Sequence, residues 1–530
     1  MNYIDFFPYF SSWSVHHQVD WLIANQLGME SPAYTPRIFS CSHYGRLGCA
    51  ISRNFIPGSL NSDELCRNCS GSFNDYFDDF LHAEKPAHII ITDLDEITLD
   101  TIHQFSWFIN LDNSIQSALK QLLSVLTELS SLSALTHFRI SKQDIENKEP
   151  ALKAYFSKTI LLEALIVAHN WSLTIPHAVV LFNGRLAPYI APWFLAKQLG
   201  IPTYIHERGT KMPFSIYFNE YPSTGMCSYS VLKRVRSLIS RPFCLTDTQL
   251  ISCLKSEFQE LYTPSNYPDL FKASRKPLID PKALCMHDVL YVVSSEDEAD
   301  SYINSNLALA QRNAILVLVD LAAKNQHLSF AIKSHPNIYG VGGYPGMKYS
   351  AEFIDLIETA ATSMANLTVY GREIHSNPFD LIDSTTVIIG LHSSLLQYAW
   401  FKGKYIITHP FSTSKVYASE LTDFNATDSF GKKLIDLFSN TADLSWFPRI
   451  TYDQLLYLTV KQFAFDIRLG PNVAIADDHF SPKTNIFQLK LLADCTDNGD
   501  LGILIQSIIN SSDINLELLN ERFRQFKSLT

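Results

Sequence analysis

The sequence predicts an α/β protein with two parallel-sheet domains, and three observations carry that expectation. Short apolar, β-branched runs alternate with longer runs of helical apolar spacing along most of the chain, the pattern of strands joined by crossover helices. At 530 residues the chain is too long for one ordinary core. A polar stretch carrying Pro264, Pro268, Pro277 and Pro281 interrupts the pattern, which then restarts. The expected domains are 1–270 and 271–470, followed by a C-terminal tail, 471–530, with a final helix.

In the first domain, 3–10 reads as a strand, 17–28 as a helix and 36–41 as the second strand. A cysteine-containing insertion, 41–72, follows, and 114–132 and 151–169 have helical spacing. The clearest unit comes next. Strand 178–182 ends in Asn183-Gly184-Arg185, helix 188–199 has Pro188 near its start and Gly200 just past its end, and strand 201–206 ends in Glu207-Arg208-Gly209. Both polar triplets lie at strand C-termini, the edge where open α/β sheets bind ligands.

The second domain reads as strands 288–293, 329–333, 367–369, 386–390 and 405–408, with helices 304–323, 351–364 and 394–402 between them. That is a complete Rossmann-like pattern. From about 471 the chain looks polar and irregular until an amphipathic helix, 516–526.

Composition narrows the class. Hydrophobic residues are 46% and charged residues 18%, the balance of a globular chain. A net charge of -11 argues against a dedicated nucleic-acid binder, which needs a basic face. Residues 1–10 carry Asp5 and no basic residue, so the charged start of a signal peptide is missing. The strongest apolar runs, 314–323 and 387–391, fall short of the roughly 18 residues a membrane span needs. The expectation is a cytoplasmic protein, with peripheral association at the inner face of the membrane left open. Nine cysteines suit a reducing compartment.

Three loops of the second domain should converge at strand C-termini: Ser294-Ser295-Glu296-Asp297-Glu298, Lys333-Ser334-His335-Pro336-Asn337 and His392-Ser393-Ser394. Hydroxyls and backbone N–H groups at a helix start suit a phosphate. A nearby Lys and His can hydrogen-bond a leaving diphosphate, the largest charge to be stabilised in glycosyl transfer. Taken singly, a serine pair is usually only an N-cap, and His-Pro only a turn. Their joint placement on one edge favours the site.

Other signals stay open. Glu207 is a candidate general base at the mouth of the first domain, or a structural partner of Arg185 or Arg208. Cys41, Cys49, Cys66 and Cys69 end in a Cys-x2-Cys knuckle and read as a structural zinc site, as buried free thiols or, last, as a disulfide. Asp93-Leu94-Asp95 follows an apolar run as in metal–nucleotide sites, though Ile97 spoils a phosphatase motif. Asp477-Asp478-His479 reads as a solvated loop, and Gly340 to Gly346 as a turn.

The order Ser-Ser-x-Asp-Glu, Lys-x-His-Pro-Asn, Ser-Asn-Pro-Phe-Asp-Leu-Ile-Asp (376–383), His-Ser-Ser and Gly403-Lys404 resembles capsule-polysaccharide-biosynthesis-type bacterial glycosyltransferases. Asn183-Gly184-Arg185 and Glu207-Arg208-Gly209 are similar to that family's first-domain loops, and the resemblance spans residues 1 to about 410. It implies a GT-B fold, two Rossmann-like domains facing across a cleft. The acceptor, a glycan or lipid-linked glycan, would lie on the first domain, with Asn183, Arg185 and Arg208 beside Glu207. The nucleotide-sugar donor would lie on the second, with Ser294, Ser295, Glu298, Lys333, Arg372, Ser393, Ser394 and Gln397 beside His335, whose His-Pro motif holds phosphate in related Kdo- and sialyl-transferases. No cofactor would be required for catalysis. The chain departs from the family at Tyr398-Ala399, where an acid usually precedes the Ala. If that acid holds the donor ribose, Gln397 must substitute or the donor differs. The expected activity is sugar transfer to a surface polysaccharide or related glycan. A sugar-nucleotide epimerase and an inactive glycan- or partner-binding scaffold are the alternatives.

Overall fold

The computed structural model describes residues 2–7, 14–39, 111–138, 150–184, 186–208, 214–219, 286–296, 307–335, 348–371, 377–439, 466–467 and 499–529, with a few isolated positions besides. The cysteine insertion, Asp93 and Asp95, the proline stretch 264–281, the glycine run at 340–346 and Asp477-Asp478-His479 lie outside them. The chain divides into two compact units. One joins Met1–His137, Lys148–Gly225 and Val460–Thr530; the other joins Phe138–Asn147 and Met226–Thr459.

The described strands of the first unit are β1 (Asn2–Phe6), β2 (Tyr34–Ile38), β3 (Ala178–Phe182), β4 (Thr203–Arg208), β5 (Phe214–Phe218) and β12 (Asp466–Ile467). They form one sheet in the order β12-β5-β4-β3-β1-β2. β2, β1, β3 and β4 are parallel, while β5 pairs antiparallel with both β4 and β12. The described helices are α1 (Ser14–Glu30), α2 (Asn113–Phe138), α3 (Pro150–Leu173) and α4 (Ala187–Leu199). α4 ends as its sequence predicts. Gly200 takes φ +69°, and the Gly200 and Ile201 N–H groups close onto Lys197 and Ala196. Buried charge ties β1 to β2: the Arg37 guanidinium grips the Asp5 carboxylate with two 2.8 Å bonds, and the Trp171 indole N–H donates to it at 2.7 Å.

The tail differs from its sequence reading in one respect. Besides the final helix α11 (Ile514–Leu529), a buried helix α10 (Gly499–Ile509) occupies a stretch read as irregular. Leu504, Ile505, Ile508, Ile514 and Leu518 join the core of Ile4, Phe6, Trp21, Val180, Tyr204 and Ile216. Polar side chains fix the same contact. The Tyr204 hydroxyl donates to the Ser507 and Ser512 carbonyls at 2.6 and 3.0 Å. The Asn515 amide donates to the Ile216 carbonyl at 2.7 Å and accepts from the Phe218 N–H at 3.0 Å.

The second unit contains β6 (His287–Val292), α5 (Leu307–Lys324), β7 (Phe330–Lys333), α6 (Lys348–Ala361), β8 (Leu367–Tyr370), α7 (Pro378–Ser384), β9 (Thr385–Gly390), α8 (Ser394–Phe401), β10 (Tyr405–Thr408), β11 (Glu420–Leu421) and α9 (Thr427–Ser439). Its sheet is parallel throughout, in the order β11-β10-β9-β6-β7-β8. Counted along the unit this is 3-2-1-4-5-6 read from β8, the doubly wound Rossmann order. Strands covered on both faces must be apolar on both. Accordingly Val289, Leu290, Tyr291, Val387, Ile388 and Ile389 are all within 1% of full burial. The α/β class with two Rossmann-like units is therefore what the chain adopts.

Asn515→Leu should destabilise the first unit by about 1–3 kcal/mol, because it strands a buried carbonyl and a buried N–H on β5. A lowered urea midpoint for that unit's transition, with the second unit's unchanged, checks it.

Candidate functional site

In a 3-2-1-4-5-6 sheet the direction of winding reverses between strands 1 and 4, leaving a crevice beyond their C-terminal ends. Here those strands are β6 and β9. Val292 stands in register with Gly390 on β9 and with Lys333 on β7, and Lys333 with Tyr370 on β8. One row of residues thus launches three of the sequence-predicted loops. With strands about 4.8 Å apart, Gly390 and Lys333 are roughly 10 Å from each other across β6.

Gly390 allows the strands to close. A Cβ there would meet the Val292 carbonyl oxygen at 3.0 Å and the Leu396 side chain of α8 at 3.3 Å. After it, the Ser393 side chain caps α8 by accepting from the Leu395 N–H at 3.2 Å, and Ser394 opens the helix exposed. The N-cap reading of the serine pair and its ligand reading are compatible, since one serine caps and the other faces solvent.

Ser294 is fully buried. Its hydroxyl accepts from the His392 N–H at 2.9 Å, and its backbone is held on both sides by the Gln311 amide, at 2.8 and 3.0 Å. Ser295 is also buried, and Glu296 is gripped by Arg312 through bonds of 2.6 and 2.9 Å. The loop after β6 is thus built as a rigid wall, a role its Ser-Ser-x-Asp-Glu sequence alone did not announce.

Lys333 brings positive charge to this edge. Its ammonium donates to the Ser334 carbonyl at 3.1 Å, and among the described residues no carboxylate pairs with it. Burial pulls its pKa down to about 8. His335 lies two residues on, half-buried, its carbonyl accepting from Ile338 at 3.1 Å. Burial, with His409 nearby, pushes the His392 imidazole down to about 4. His409 donates through Nε2 to Asp423 at 3.0 Å while its Nδ1 accepts from the Phe411 N–H at 3.2 Å, which fixes its tautomer. Burial lowers its pKa too, against the opposing pull of Asp423.

The helix after the serine pair answers the departure noted in the sequence. Gln397 is 7% exposed, and its amide oxygen accepts from the Tyr417 hydroxyl at 3.0 Å. The Tyr398 hydroxyl shares its donor between both Asp383 oxygens at 3.1 Å. Gln397, the side chain expected to substitute for the missing acid, is thus engaged within the unit, and so is its neighbour Tyr398. Glu298 and Arg372 lie outside the described residues.

In the first unit, Asn183 and Gly184 take φ +64° and +68°, a left-handed turn that the Asn-Gly pair favours. The turn aims the Asn183 amide at the Glu207 carboxylate, which accepts from it at 2.6 Å. Arg185 lies outside the described residues, as does the side chain of Arg208. Directly before Glu207, the fully buried His206 imidazole meets Asp20 of α1 at 2.8 Å. Burial raises the Asp20 carboxyl, opposed by His206. Cys41, Cys49, Cys66 and Cys69 lie outside the description. Among the described residues no group of three or more His, Cys, Asp or Glu side chains could hold a metal ion. No described helix is long and apolar enough to cross a membrane.

No protein-family model and no curated protein matches the chain. Solved structures do resemble it at low identity. A UDP-GlcNAc 2-epimerase from Neisseria meningitidis, bound to UDP-GlcNAc, is 12% identical, covers 86% of this chain and 96% of its own, and has a TM-score of 0.27. A β-Kdo 2,4-transferase from Thermosulfurimonas dismutans is 12% identical over 44% of this chain and 70% of its own, with a TM-score of 0.25. An α,α-trehalose 6-phosphate synthase from Burkholderia multivorans is 10% identical over 68% and 84%, with a TM-score of 0.34. The fold assignment rests on the sheet topology and not on these likenesses.

Lys333 should acylate with an amine-reactive reagent along a pH profile centred near 8, where surface lysines turn over above 10. Peptide mass spectrometry of competitively labelled protein reads this directly, and a midpoint near 10 would contradict the burial argument.

Proposed function

We propose that the chain is a GT-B glycosyltransferase that moves a sugar from a nucleotide donor to a surface-polysaccharide or related glycan acceptor. The observation that carries this reading is the row Gly390, Val292, Lys333 at the switch point of a Rossmann-ordered sheet, topped by the capped start of α8. That edge combines helix N–H groups, an exposed serine and a half-buried lysine with no carboxylate partner among the described residues, the chemistry that takes a diphosphate. In the proposal His335, Ser295, Ser393 and Ser394 hydrogen-bond the phosphates, Lys333 supplies charge, and Glu298 and Arg372 complete the donor side. Stabilising the departing diphosphate is the main catalytic task. Glu207, aimed by Asn183, deprotonates the acceptor hydroxyl, with Arg185 and Arg208 on the acceptor side. A cytoplasmic location, peripheral to a membrane polysaccharide assembly, suits such a substrate. Structural zinc at the four cysteines belongs to the same proposal.

A ligand that binds only the folded state raises the melting temperature. Screening nucleoside mono- and diphosphates and nucleotide sugars should therefore find a binder whose effect is lost in His335→Ala and in Ser393→Ala/Ser394→Ala. Undiminished binding in both variants removes the donor site. Interconversion of a free sugar nucleotide with no acceptor present would assign the epimerase activity instead. No turnover of any kind would leave the scaffold reading.

The lysine adds a sign. The ammonium form binds the anion, so affinity should fall as pH rises through about 8, and binding at pH 8–9 should take up a proton. Calorimetry in buffers of different ionisation enthalpy measures that uptake. Lys333→Arg should remove it.

A further inference from the structure

The peptide unit between Leu391 and His392 is held at both ends by hydroxyls from other loops. The Ser412 hydroxyl donates to the Leu391 carbonyl at 2.6 Å, and the His392 N–H donates to the Ser294 hydroxyl at 2.9 Å. Ser412 is 1% exposed and Ser294 is fully buried, so water does not compete for either bond. Each hydroxyl is itself anchored. Gln311 fixes the backbone of Ser294, and Ser412 accepts from the Ser414 N–H at 3.0 Å. One residue earlier, Thr408 Oγ1 donates to the Gly390 carbonyl at 2.6 Å.

A peptide plane caught on both its C=O and its N–H cannot rotate without breaking both bonds. The next residue is Ser393, the cap of α8, and the one after is the exposed Ser394. The direction in which the helix start points is therefore set two bonds upstream, by a serine of the β6 loop and a serine beyond β10.

We infer that Ser412 is a positioning residue for the ligand site: with Ser294 it clamps the Leu391–His392 peptide and so presents the α8 start to the donor's phosphates. This rests on the donor-site reading above. Ser412 touches no phosphate itself and acts through the backbone of its neighbour.

The test compares Ser412→Ala with Thr385→Val, at the start of β9, whose far end leads into the clamped peptide; there the Thr385 hydroxyl donates to the Leu381 carbonyl at 2.6 Å. Both variants lose one buried hydrogen bond. Wild type and variants are titrated with UDP, GDP and CMP, and amide hydrogen exchange is followed over residues 392–395. For whichever nucleotide the wild type binds, Ser412→Ala should raise Kd about tenfold and speed exchange at 392–395 by a similar factor, the scale of one buried hydrogen bond. Thr385→Val should lower the melting temperature and leave both readings alone. Ser294→Ala breaks the same peptide unit from its other side and replaces Ser412→Ala if that variant does not fold. The double alanine variant should lose less than the sum of the two, since they release one plane. Unchanged Kd and exchange in Ser412→Ala, or equal losses in Thr385→Val, overturn the inference. If the wild type binds none of the three nucleotides, exchange at 392–395 alone decides the clamp, and the nucleotide result counts against the donor reading.

Discussion

The C-terminal edge of the second unit's sheet depends on how closely β9 can approach β6. Gly390 sits where a Cβ would stand 3.0 Å from the Val292 carbonyl, with α8 pressing from the other side. Backbone cannot yield there as a flexible side chain can. A side chain at 390 would require the Val292 carbonyl or the Leu396 side chain to give by a few tenths of an ångström. The bond from His392 to Ser294 crosses the same gap.

Much of this was legible in the sequence, for identifiable reasons. Strands covered on both faces need uninterrupted apolar residues, so β3, β6, β9 and β10 stand out as Ala-Val-Val-Leu-Phe, Asp-Val-Leu-Tyr-Val, Val-Ile-Ile and Tyr-Ile-Ile-Thr. Polar residues directly after such runs fall at the ligand edge by topology alone. What escaped was structure whose reason lies elsewhere in the chain. β11 and β12 are two-residue edge elements without a run of their own, and β12 finds its partner more than 200 residues away. α10 begins with Gly499 and contains Gly502, so its apolar content looked like a loop. The same holds at the site. Ser294 and Gln397 have the right chemistry for a ligand, but buried partners at 392 and 417 claim them, and no spacing rule reveals that. Ser412 follows a His-Pro-Phe turn and resembles any loop serine.

The two units solve the same problem of buried polarity differently. In the first, buried ionisable groups are enclosed in pairs: Asp5 with Arg37, Asp20 with His206, and Asp500 with Arg522 between α10 and α11. Such pairs stabilise little in net terms, yet losing one partner is costly, so they lock the elements that carry them into one arrangement. In the second, one such pair, Glu296 with Arg312, stands beside hydroxyl-to-backbone bonds and neutral imidazoles at the edge, and the half-buried Lys333 has no carboxylate partner among the described residues.

The attachment of α10 and α11 to the first unit bears on how the chain is made. Tyr204 and its partner Ser507 are 303 residues apart. At about 5–20 residues per second, the ribosome needs roughly 15–60 s to travel between them. For that interval the side of β1, β3 and β4 that will carry Ile505 and Leu518 has emerged without its cover. The second unit, apart from Phe138–Asn147, is synthesised within that interval. A chaperone that shields apolar sheet surface would therefore find its substrate in the first unit of the nascent chain, and would be displaced from it once α10 and α11 emerge.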